Sequence, residues 1–370
     1  MIKIRKLLDV LTAPMLAITF SLIVTAIILA AFGANIFEVF SKMYGYGTST
    51  RSLTLITNTA TTYYLSAVAV AIGFKMNIFN IGVNGQYRLA AMTAGAVAGW
   101  ISMPGPLAAV VAILVAMLVG ALWAGVAAWL KVARGISEVI STIMLNFIAI
   151  GIISYVIVQT NIGTEVKVNV RGTPRIQEGA QLAGFAFIDP KVKVYGFFFV
   201  AIAVGIIYWV ILNRTRFGYD LRASGLSPSA ATASGVNSKR MTVYAMLASG
   251  AIAGLVGLPD LLGKEFSYTL GFPANYGFTG IAIALLGRNN PIGIAFGALL
   301  WAFLDVSSQI LDLEGVPREI VTIMQGVIVL SVVVAYELVR RNRVKTQQQN
   351  VGKALASAQS NVSTSSEGSK

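Results

Sequence analysis

Long runs of apolar residues limit what this chain can fold into more than any other feature. Ten such runs are separated by polar segments, and several exceed the ~18 residues that a helix needs to cross a lipid bilayer. Of the 370 residues, 56% are hydrophobic and only 12% are charged, whereas soluble domains usually contain about 25% charged residues. The sequence therefore predicts an all-α integral membrane protein with about ten transmembrane helices. The predicted spans are residues 11–32, 52–74, 86–101, 107–130, 137–158, 194–212, 241–262, 278–287, 292–311 and 317–338.

The residue types that are absent exclude several kinds of chemistry. The chain contains no Cys and no His, which excludes disulfides, thiolate nucleophiles, histidine-dependent catalytic triads and histidine metal sites. It also lacks the GxxxxGK[ST] pattern of a phosphate-binding loop, so it cannot bind ATP in that way. We therefore expect no catalytic residue, no bound metal and no cofactor. If the chain moves a solute, the energy must come from an ion gradient or from a separate ATPase chain.

The distribution of positive charge predicts the orientation in the membrane. With ten spans both termini lie on one side, and the segments on that side carry most of the 28 Lys and Arg residues. Because basic residues favour the cytoplasmic side, we expect cytoplasmic termini, a cytoplasmic segment at 213–240 and a large external loop at 159–193. The net charge of +13 thus points to a bilayer with anionic headgroups as the partner, and not to nucleic acid.

The two ends of the chain are interpreted separately. The apolar run at 11–32 could belong to a signal peptide, but it exceeds the about 7–15 residues of a typical signal core, so we favour an uncleaved first span. Residues 1–340 are predicted to form one transmembrane domain. From residue 341 onwards the chain becomes rich in Gln, Ser and Thr, which predicts a disordered cytoplasmic tail over 341–370.

The basic segment 213–240 is the most distinctive polar stretch between two spans. It carries five Lys or Arg residues and one acid, Asp220. Residues 221–236 are rich in Ala and Ser, and Pro228 suits the first turn of a short helix. Such small side chains would let the segment lie flat against a partner protein. The alternative is an ordinary solvated loop between two helices.

Three short patterns occur twice in the same order along the chain. The paired fragments are 80–85 with 275–280, 120–123 with 297–301, and 138–144 with 319–324. Spans two to five would then correspond to spans seven to ten, with the first group starting outside and the second inside. Such an inverted-topology repeat is common in transporters, whose broken helices meet near the middle of the membrane. The Gly- and Asn-rich interruptions at 73–88 and 271–290 are candidates for these broken helices; the alternative is ordinary re-entrant structure.

Four stretches together resemble the membrane subunits of bacterial ABC importers. They are GFKMNIFNIGVNGQ (73–86), ARGISEVISTIMLN (133–146), LRASGLSPSAATASGVN (221–237) and MLASGAIAGLVG (246–257). The resemblance covers roughly residues 50–340 and is to the group that serves branched-chain amino acids, simple sugars and nucleosides. Within this group, the chain is most similar to nucleoside permeases that work with a lipoprotein of the basic membrane protein class. One position departs from the pattern, since many relatives have an acid where Asn84 stands.

The resemblance implies a location and a set of partners. It implies a multi-pass protein of the bacterial plasma (inner) membrane that works with an ABC ATPase subunit, a second related permease subunit and an extracytoplasmic substrate-binding lipoprotein. The ATPase would hydrolyse the ATP, so this chain would not be an enzyme. Segment 221–236 would then be the cytoplasmic coupling segment that docks on the ATPase. Its candidate contact residues are Arg222, Ala223, Gly225, Pro228, Ala230, Ala231 and Gly235.

Polar residues in or beside the spans are candidates for a transport path. Each could bind a substrate, or could instead bond to a neighbouring helix for about 0.6–2 kcal/mol. Asp305 and Gln309 are expected on one face of the ninth span, and Glu138 is expected to pair with Arg134. The candidate path residues are Asn77, Asn80, Asn84, Gln86, Asn146, Asn275, Tyr276, Thr279, Asp305 and Gln325.

The polar residues also bear on the substrate. No pair of acids and no Asp–Arg relay is expected to cross the bilayer, which disfavours a proton-coupled carrier. Asn, Gln, Thr and Tyr side chains suit a small, neutral, polar substrate, and nucleosides fit this description. The alternatives are a permease for simple sugars or branched-chain amino acids, and a stand-alone ion-coupled secondary carrier.

Overall fold

The computed structural model describes residues 35–101, 103–182, 184–313 and 319–335, with the short stretches 19–20, 23–27, 29–31, 33, 317, 337–338, 341 and 348–349. These residues fall into two compact units. One is formed by residues 37–318, and the other by the two ends of the chain. Much of the predicted first span (11–32) and almost all of the predicted tail (341–370) lie outside the described residues.

Residues 35–313 are mainly helical. The main helices are α1 (Ile36–Gly47), α2 (Thr50–Lys75), α3 (Val83–Trp100), α4 (Gly105–Arg134), α5 (Glu138–Gln159), α6 (Phe197–Arg214), α7 (Arg216–Leu226), α8 (Pro228–Ala233), α9 (Ser238–Leu255), α10 (Tyr276–Leu286), α11 (Pro291–Ser307) and α12 (Gln309–Leu313). Two short helical stretches, Leu258–Asp260 and the π-helix Leu261–Glu265, follow α9. A small antiparallel hairpin, β1 (Thr164–Lys167) and β2 (Val170–Gly172), lies between α5 and α6. The unit formed by the chain ends contains the apolar helix Glu319–Ala335.

Six helices of the described residues are long and apolar enough to cross a membrane. They are Thr50–Lys75, Gly105–Arg134, Glu138–Gln159, Phe197–Arg214, Ser238–Glu265 and Pro291–Asp312. A seventh is added if Ile23–Ala31 and α1 form one broken span, and α10 and Glu319–Ala335 are shorter apolar helices. The chain is therefore a helical, multi-pass membrane protein, as its apolar runs predict.

Helix boundaries follow local sequence signals. The side chain of Ser49 accepts a hydrogen bond from a backbone N–H in the first turn of α2. Asn290 caps α11 in the same way, with Pro291 as the first helical residue. Gly135 ends α4 in the left-handed conformation (φ 69°), which costs glycine least. These signals place the helix ends within a few residues of the predicted ones.

Helix α2 is the centre of the larger unit. It packs against α6, α9, α10 and α11, and nearly every residue in its second half is buried. Helices α4 and α9 approach closely, because a side chain at Gly254 would overlap the backbone of Ala116 and one at Gly250 would overlap that of Gly120. Glycines four residues apart on α9 thus permit this close contact between the two helices. Large apolar side chains on the outer faces of α4, α5 and α6 remain exposed, as expected of surfaces that contact lipid.

The segment between α5 and α6 is fastened to the chain just before α10. The backbone N–H of Thr173 donates to the carbonyl of Tyr268 (2.8 Å), and that of Ile176 donates to the carbonyl of Phe266 (2.8 Å). The N–H of Tyr268 donates in turn to the Thr173 hydroxyl (2.9 Å). The long segment therefore positions residues 266–275, the stretch that leads into α10.

Candidate functional site

The first turns of α3 and α10 meet inside the larger unit. Gly277, in the first turn of α10, lies where a Cβ would overlap the backbone nitrogen of Asn84. The side-chain oxygen of Asn84 accepts a hydrogen bond from the backbone N–H of Asn275 (3.1 Å). Asn275 itself is in the left-handed conformation (φ 73°). Two short helices thus bring together their N-terminal ends, where helix dipoles are positive.

Asn80 and Gln86 hold the break that precedes α3. Their side-chain amides form two reciprocal hydrogen bonds of 3.0 Å, and Asn80 also donates to Ser249 Oγ (2.8 Å). The Ser249 hydroxyl donates to the carbonyl of Ala69 (2.6 Å). These residues are all buried. The network joins α2, α3 and α9, and it leaves the two amides little capacity for a ligand.

Asn146 holds the same break from α5. Its Oδ1 accepts a hydrogen bond from the backbone N–H of Gly85 (2.7 Å), and its Nδ2 donates to the carbonyl of Ile81 (3.0 Å). The side chain is buried. The sequence left open whether Asn146 binds a substrate or bonds to a neighbouring helix. These two hydrogen bonds are of the second kind, and they fasten the start of α3 to α5.

Two tyrosine–aspartate pairs lie beside the meeting point of the helices. The Tyr63 hydroxyl of α2 donates to Oδ2 of Asp305 on α11 (2.7 Å). The Tyr276 hydroxyl donates to Oδ2 of Asp260 (2.7 Å). The two rings pack edge to face, with centroids 5.8 Å apart. We call these four residues the tyrosine–aspartate cluster. Each carboxylate bonds to its own tyrosine, and the expectation that no pair of acids crosses the bilayer stays a prediction.

Further contacts fix the start of α10. The Ser66 hydroxyl of α2 donates to the carbonyl of Tyr276 (2.7 Å). The Tyr87 hydroxyl of α3 donates to the carbonyl of Pro273 (2.8 Å). The Tyr87 ring also packs on the Tyr276 ring, with centroids 5.6 Å apart. Tyr276 therefore lies where α2, α3 and α10 converge.

The site has a buried half and an accessible half. Asp305 and Asn275 are exposed, while Tyr276 and Asp260 are partly exposed. The accessible residues thus carry carboxylates, a helix start and a tyrosine ring, groups that suit a molecule with hydroxyl groups and an apolar face. The buried members, at most 5% exposed, are Tyr63, Asn80, Asn84, Gln86 and Asn146.

The three remaining predicted path residues are described one by one. Asn77 is exposed in the turn after α2, in the left-handed conformation (φ 57°). Thr279 is half-buried, one turn along α10. Gln325 belongs to the other unit, where it lies in the helix Glu319–Ala335. A role for these three residues in the path stays a prediction.

Asp305 and Gln309 lie in one candidate span, Pro291–Asp312. A single turn residue, Ser308, separates α11 from α12, and its backbone is in the right-handed helical conformation. The hydroxyl of Ser308 donates to the carbonyl of Asp305 (2.7 Å), and the carboxylate of Asp305 accepts a hydrogen bond from Tyr63. A shared helix face for Asp305 and Gln309 stays a prediction.

The predicted pairing of Glu138 with Arg134 is wrong, because Glu138 pairs with Lys131. Glu138 Oε2 lies 2.6 Å from the ammonium group of Lys131. Helix α4 ends at Arg134 and the chain turns at Gly135. The first residue of α5 thereby comes back beside the previous turn of α4, where Lys131 lies. The ion pair closes the connection between these two long helices.

The segment 213–240 forms two short helices that pack on the ends of longer ones. Helix α7 contacts α2, α6 and α9. A Cβ at Gly225 would lie only 2.6 Å from the carbonyl oxygen of Lys75, at the end of α2. The guanidinium of Arg222 donates to the carbonyl of Leu212. Helix α8 begins at Pro228, with Ser227 as its N-cap, as the sequence predicts.

The candidate coupling residues divide into two groups by exposure. Gly225 contacts α2, and Ala231 is only 4% exposed, so both belong to the packing of the chain itself. Leu226, which was not a candidate, is 88% exposed. The exposed candidates are Pro228, Ala230 and Gly235, while Arg222 and Ala223 are half-buried.

Tyr63, Tyr87 and Asp260 were not predicted as site residues. A carboxylate inside an apolar stretch is a functional candidate by default, and Asp260 lies in the predicted span 241–262, so this signal was present. Tyrosines in apolar spans are common and carry no comparable signal. Only the folded chain shows which of them contact an acid.

Comparison with known proteins places these features in context. The family model described as a branched-chain amino acid transport system permease component matches residues 52–333. A guanosine ABC transporter permease of Bacillus subtilis is 32% identical over 345 residues, which cover 90% of this chain and 96% of the relative.

Two further relatives have similar coverage. A nucleoside ABC transporter permease of Lactococcus lactis is 30% identical, over 90% of this chain and 92% of the relative. A glucose ABC transporter permease of Haloferax volcanii is 29% identical, over 90% of this chain and 89% of the relative. No solved structure matches.

Proposed function

The chain belongs to the family of branched-chain amino acid transport system permease components, and we propose that it is the membrane-spanning permease subunit of an ATP-driven importer of nucleosides. The observation that carries this proposal is the meeting of α3 and α10 beside the tyrosine–aspartate cluster. Broken helices that meet N-terminus to N-terminus are the usual setting of a solute site in transporters.

The substrate class is supported by the relatives. Those named for guanosine and for nucleosides are 32% and 30% identical to this chain over nearly its whole length. The glucose permease relative, at 29% identity, keeps a simple sugar as the second candidate. Both classes are neutral and rich in hydroxyl groups, as the accessible half of the site requires. A branched-chain amino acid would instead bring its own carboxylate close to Asp260 and Asp305.

We propose that the chain crosses the bacterial plasma membrane ten times, with both termini in the cytoplasm. Six of the ten spans are the long helices described above. The other four are one span before α2, the helices α3 and α10, and the helix Glu319–Ala335. In this topology α2–α5 correspond to α9–α11 and Glu319–Ala335 as an inverted repeat. The meeting of the N-terminal ends of α3 and α10, which are equivalent members of the two halves, supports that correspondence.

Helices α7 and α8 are our candidates for docking on an ABC ATPase. Pro228, Ala230 and Gly235 offer an exposed face of small residues. On the other side, Gly225 lies against the end of α2, the helix that carries Tyr63. A movement of α7 driven by ATP would therefore reach the site through one rigid helix. In this scheme the ATPase performs the hydrolysis, and this chain binds no nucleotide for energy.

Two more partners complete the proposed assembly. A second, related permease subunit would cover the exposed side of the site around Asp305 and Asn275. An external substrate-binding lipoprotein would dock on segment 160–196. This segment forms backbone hydrogen bonds with residues 266–269. Docking of the lipoprotein could therefore move residues 270–275, which lead into α10.

Uptake by the reconstituted complex tests the function. The chain is co-expressed with an ABC ATPase, a related permease subunit and a substrate-binding lipoprotein of the same organism, and the complex is placed in proteoliposomes. We expect ATP-dependent uptake of labelled guanosine, none without the ATPase, and none of labelled leucine. Uptake by this chain alone under an ion gradient would show a secondary carrier. Uptake of glucose without guanosine would favour the second candidate.

A further inference from the structure

We infer that the tyrosine–aspartate cluster is the subsite that recognises the sugar hydroxyls of the transported nucleoside, with Asp305 and Asp260 as acceptors and the ring of Tyr276 as the surface for the base. The inference rests on the proposed function and goes beyond it by assigning roles to particular atoms. Neither Tyr63 nor Asp260 was among the residues that the sequence singled out.

The first argument is the hydrogen-bonding capacity of the two carboxylates. Each uses Oδ2 to accept one tyrosine hydroxyl at 2.7 Å. For Oδ1 of Asp305 and of Asp260, the described residues supply no hydrogen-bond donor. An ionised carboxylate accepts about four hydrogen bonds, and in a membrane segment an unfilled acceptor is costly. A ligand with adjacent hydroxyl groups, such as a ribose diol, supplies the missing donors.

The second argument is the arrangement of the rings. Tyr276 lies between two other tyrosines, with centroid distances of 5.8 Å to Tyr63 and 5.6 Å to Tyr87. Tyr63 and Tyr87 are 5% and 0% exposed, so they support the partly exposed ring of Tyr276, whose flat apolar face is one on which a nucleobase stacks favourably. The site thus offers acceptors for a sugar beside a surface for a base, and these are the two halves of a nucleoside.

The third argument is that the pairs are not needed to fix the helix start. Asn84, Ser66 and Tyr87 already bond to the backbone at Asn275, Tyr276 and Pro273. Asp305 is exposed on its helix, where a purely structural acid has little reason to lie beside lipid or a partner. A role in binding accounts for both observations.

The test compares two substrates in the reconstituted complex: guanosine and 2′,3′-dideoxyguanosine, which has the same base but lacks both ring hydroxyls. For the Asp305→Asn and Asp260→Asn variants we expect KM for guanosine to rise roughly ten- to a hundredfold, as for loss of a hydrogen bond to a charged group. KM for the dideoxy compound should stay nearly constant, so the ratio of the two KM values collapses. The control is Glu38→Gln, which neutralises an exposed acid on α1 and should leave both values unchanged.

The rings are tested separately. Tyr276→Phe keeps the ring and should change either KM less than about threefold, since a tyrosine hydroxyl occupies only one carboxylate oxygen. Tyr276→Leu removes the stacking surface and should raise both KM values together.

Several outcomes would overturn the inference. Equal losses for both substrates in the Asp variants would show that the acids are only structural, and no change for either would place the hydroxyl site elsewhere. If Asp260→Asn fails to insert, the exposed Asp305 decides the question by itself. A wild-type complex that imports glucose but no nucleoside would overturn the proposed substrate, and with it this subsite, before any variant is compared.

Discussion

Gly225 of α7 lies directly against the backbone of Lys75 and Met76, where α2 ends. The contact joins the segment proposed to bind the ATPase to the helix that carries Tyr63 and Ser66. It also changes the choice of variants that test this segment. A large residue at Gly225 or at the buried Ala231 disturbs the chain's own packing, so a loss of ATPase binding would be ambiguous there.

Ala230 offers the clean test of coupling, because it is exposed beside the buried Ala231. We expect Ala230→Trp to insert normally and to lose association with the ATPase. A loss of about 3 kcal/mol at the interface would weaken association roughly a hundredfold. Co-purification of the ATPase and ATP-dependent guanosine uptake measure the effect.

The matched control for this test is Ala231→Trp. We expect this substitution to lower the free energy of unfolding of the purified chain by about 1–3 kcal/mol, because the larger side chain overpacks a buried position. Wild-type uptake by Ala230→Trp would show that this face does not dock on the ATPase.

The topology can be tested by labelling single cysteines, since the chain contains no Cys. With the predicted orientation, an impermeant thiol reagent added to intact cells should label Arg175→Cys and not Ala230→Cys. Both positions are exposed in the structure, so a difference in labelling reports the side of the membrane. The reverse pattern would reject the topology. Permeabilised cells, in which both should react, provide the control.

Glycine at position 277 should be required for the meeting of α3 and α10. A Cβ there overlaps the backbone of Asn84, which cannot move without displacing the first turn of α3. We expect Gly277→Ala to destabilise the purified chain by about 1–3 kcal/mol and to reduce uptake. Gly271→Ala is the matched control, because a Cβ at Gly271 meets nothing closer than 3.9 Å. Equal melting temperatures for the two variants would contradict the close contact.

The helices were predictable because their signals are local. Apolar runs of sufficient length and a Pro in the first turn act within a few residues, and they placed the starts of α2, α8 and α11 well. Pairings across the fold were not predictable in this way. Tyr63 and Asp305 are separated by 242 positions, and nothing in either local sequence specifies the other.

The roles of the amide residues in the predicted path were not predictable from local sequence either. Asn80, Gln86 and Asn146 stand out in the sequence because amides are rare in apolar stretches. The structure shows that each bonds to its own chain. Composition alone cannot separate an amide that fastens a helix break from one that faces a solute, because both are buried polar groups that need partners.

The ion pair of Lys131 with Glu138 should stabilise the connection between α4 and α5. Glu138 is nearly buried and Lys131 about one-third exposed (side chains 11% and 32% exposed), so removing one partner leaves the other without its counter-charge. We expect Lys131→Met to lower the free energy of unfolding by about 1–3 kcal/mol, measured by thermal unfolding in detergent. The control is Arg134→Met, at the exposed partner that the sequence suggested, where we expect a change within about 0.5 kcal/mol. A larger effect at Arg134 than at Lys131 would contradict the pairing.

The last prediction concerns pH and segment 160–196. The carboxylate of Asp189 accepts hydrogen bonds from the backbone N–H groups of Lys191 (2.7 Å) and Val192 (2.9 Å), and from the hydroxyl of Thr50 (3.2 Å). The two backbone donors are the main cause that holds the pKa of Asp189 below its ordinary value. A depressed pKa contributes stability that is present above the unfolded pKa, about 3.9, and is lost only as pH falls through the lower folded value.

Hydrogen exchange at residues 185–194 is the measurement that checks this. After correction for intrinsic exchange rates, protection of these amides should be equal at pH 7 and pH 5, because Asp189 stays ionised over this range. Asp189→Asn removes the charged acceptor, so protection should fall at both pH values and by the same factor. Glu178→Gln, at an exposed acid of the same segment, should leave protection unchanged. A wild-type protection factor that falls between pH 7 and pH 5 would show that a group other than Asp189 holds this turn.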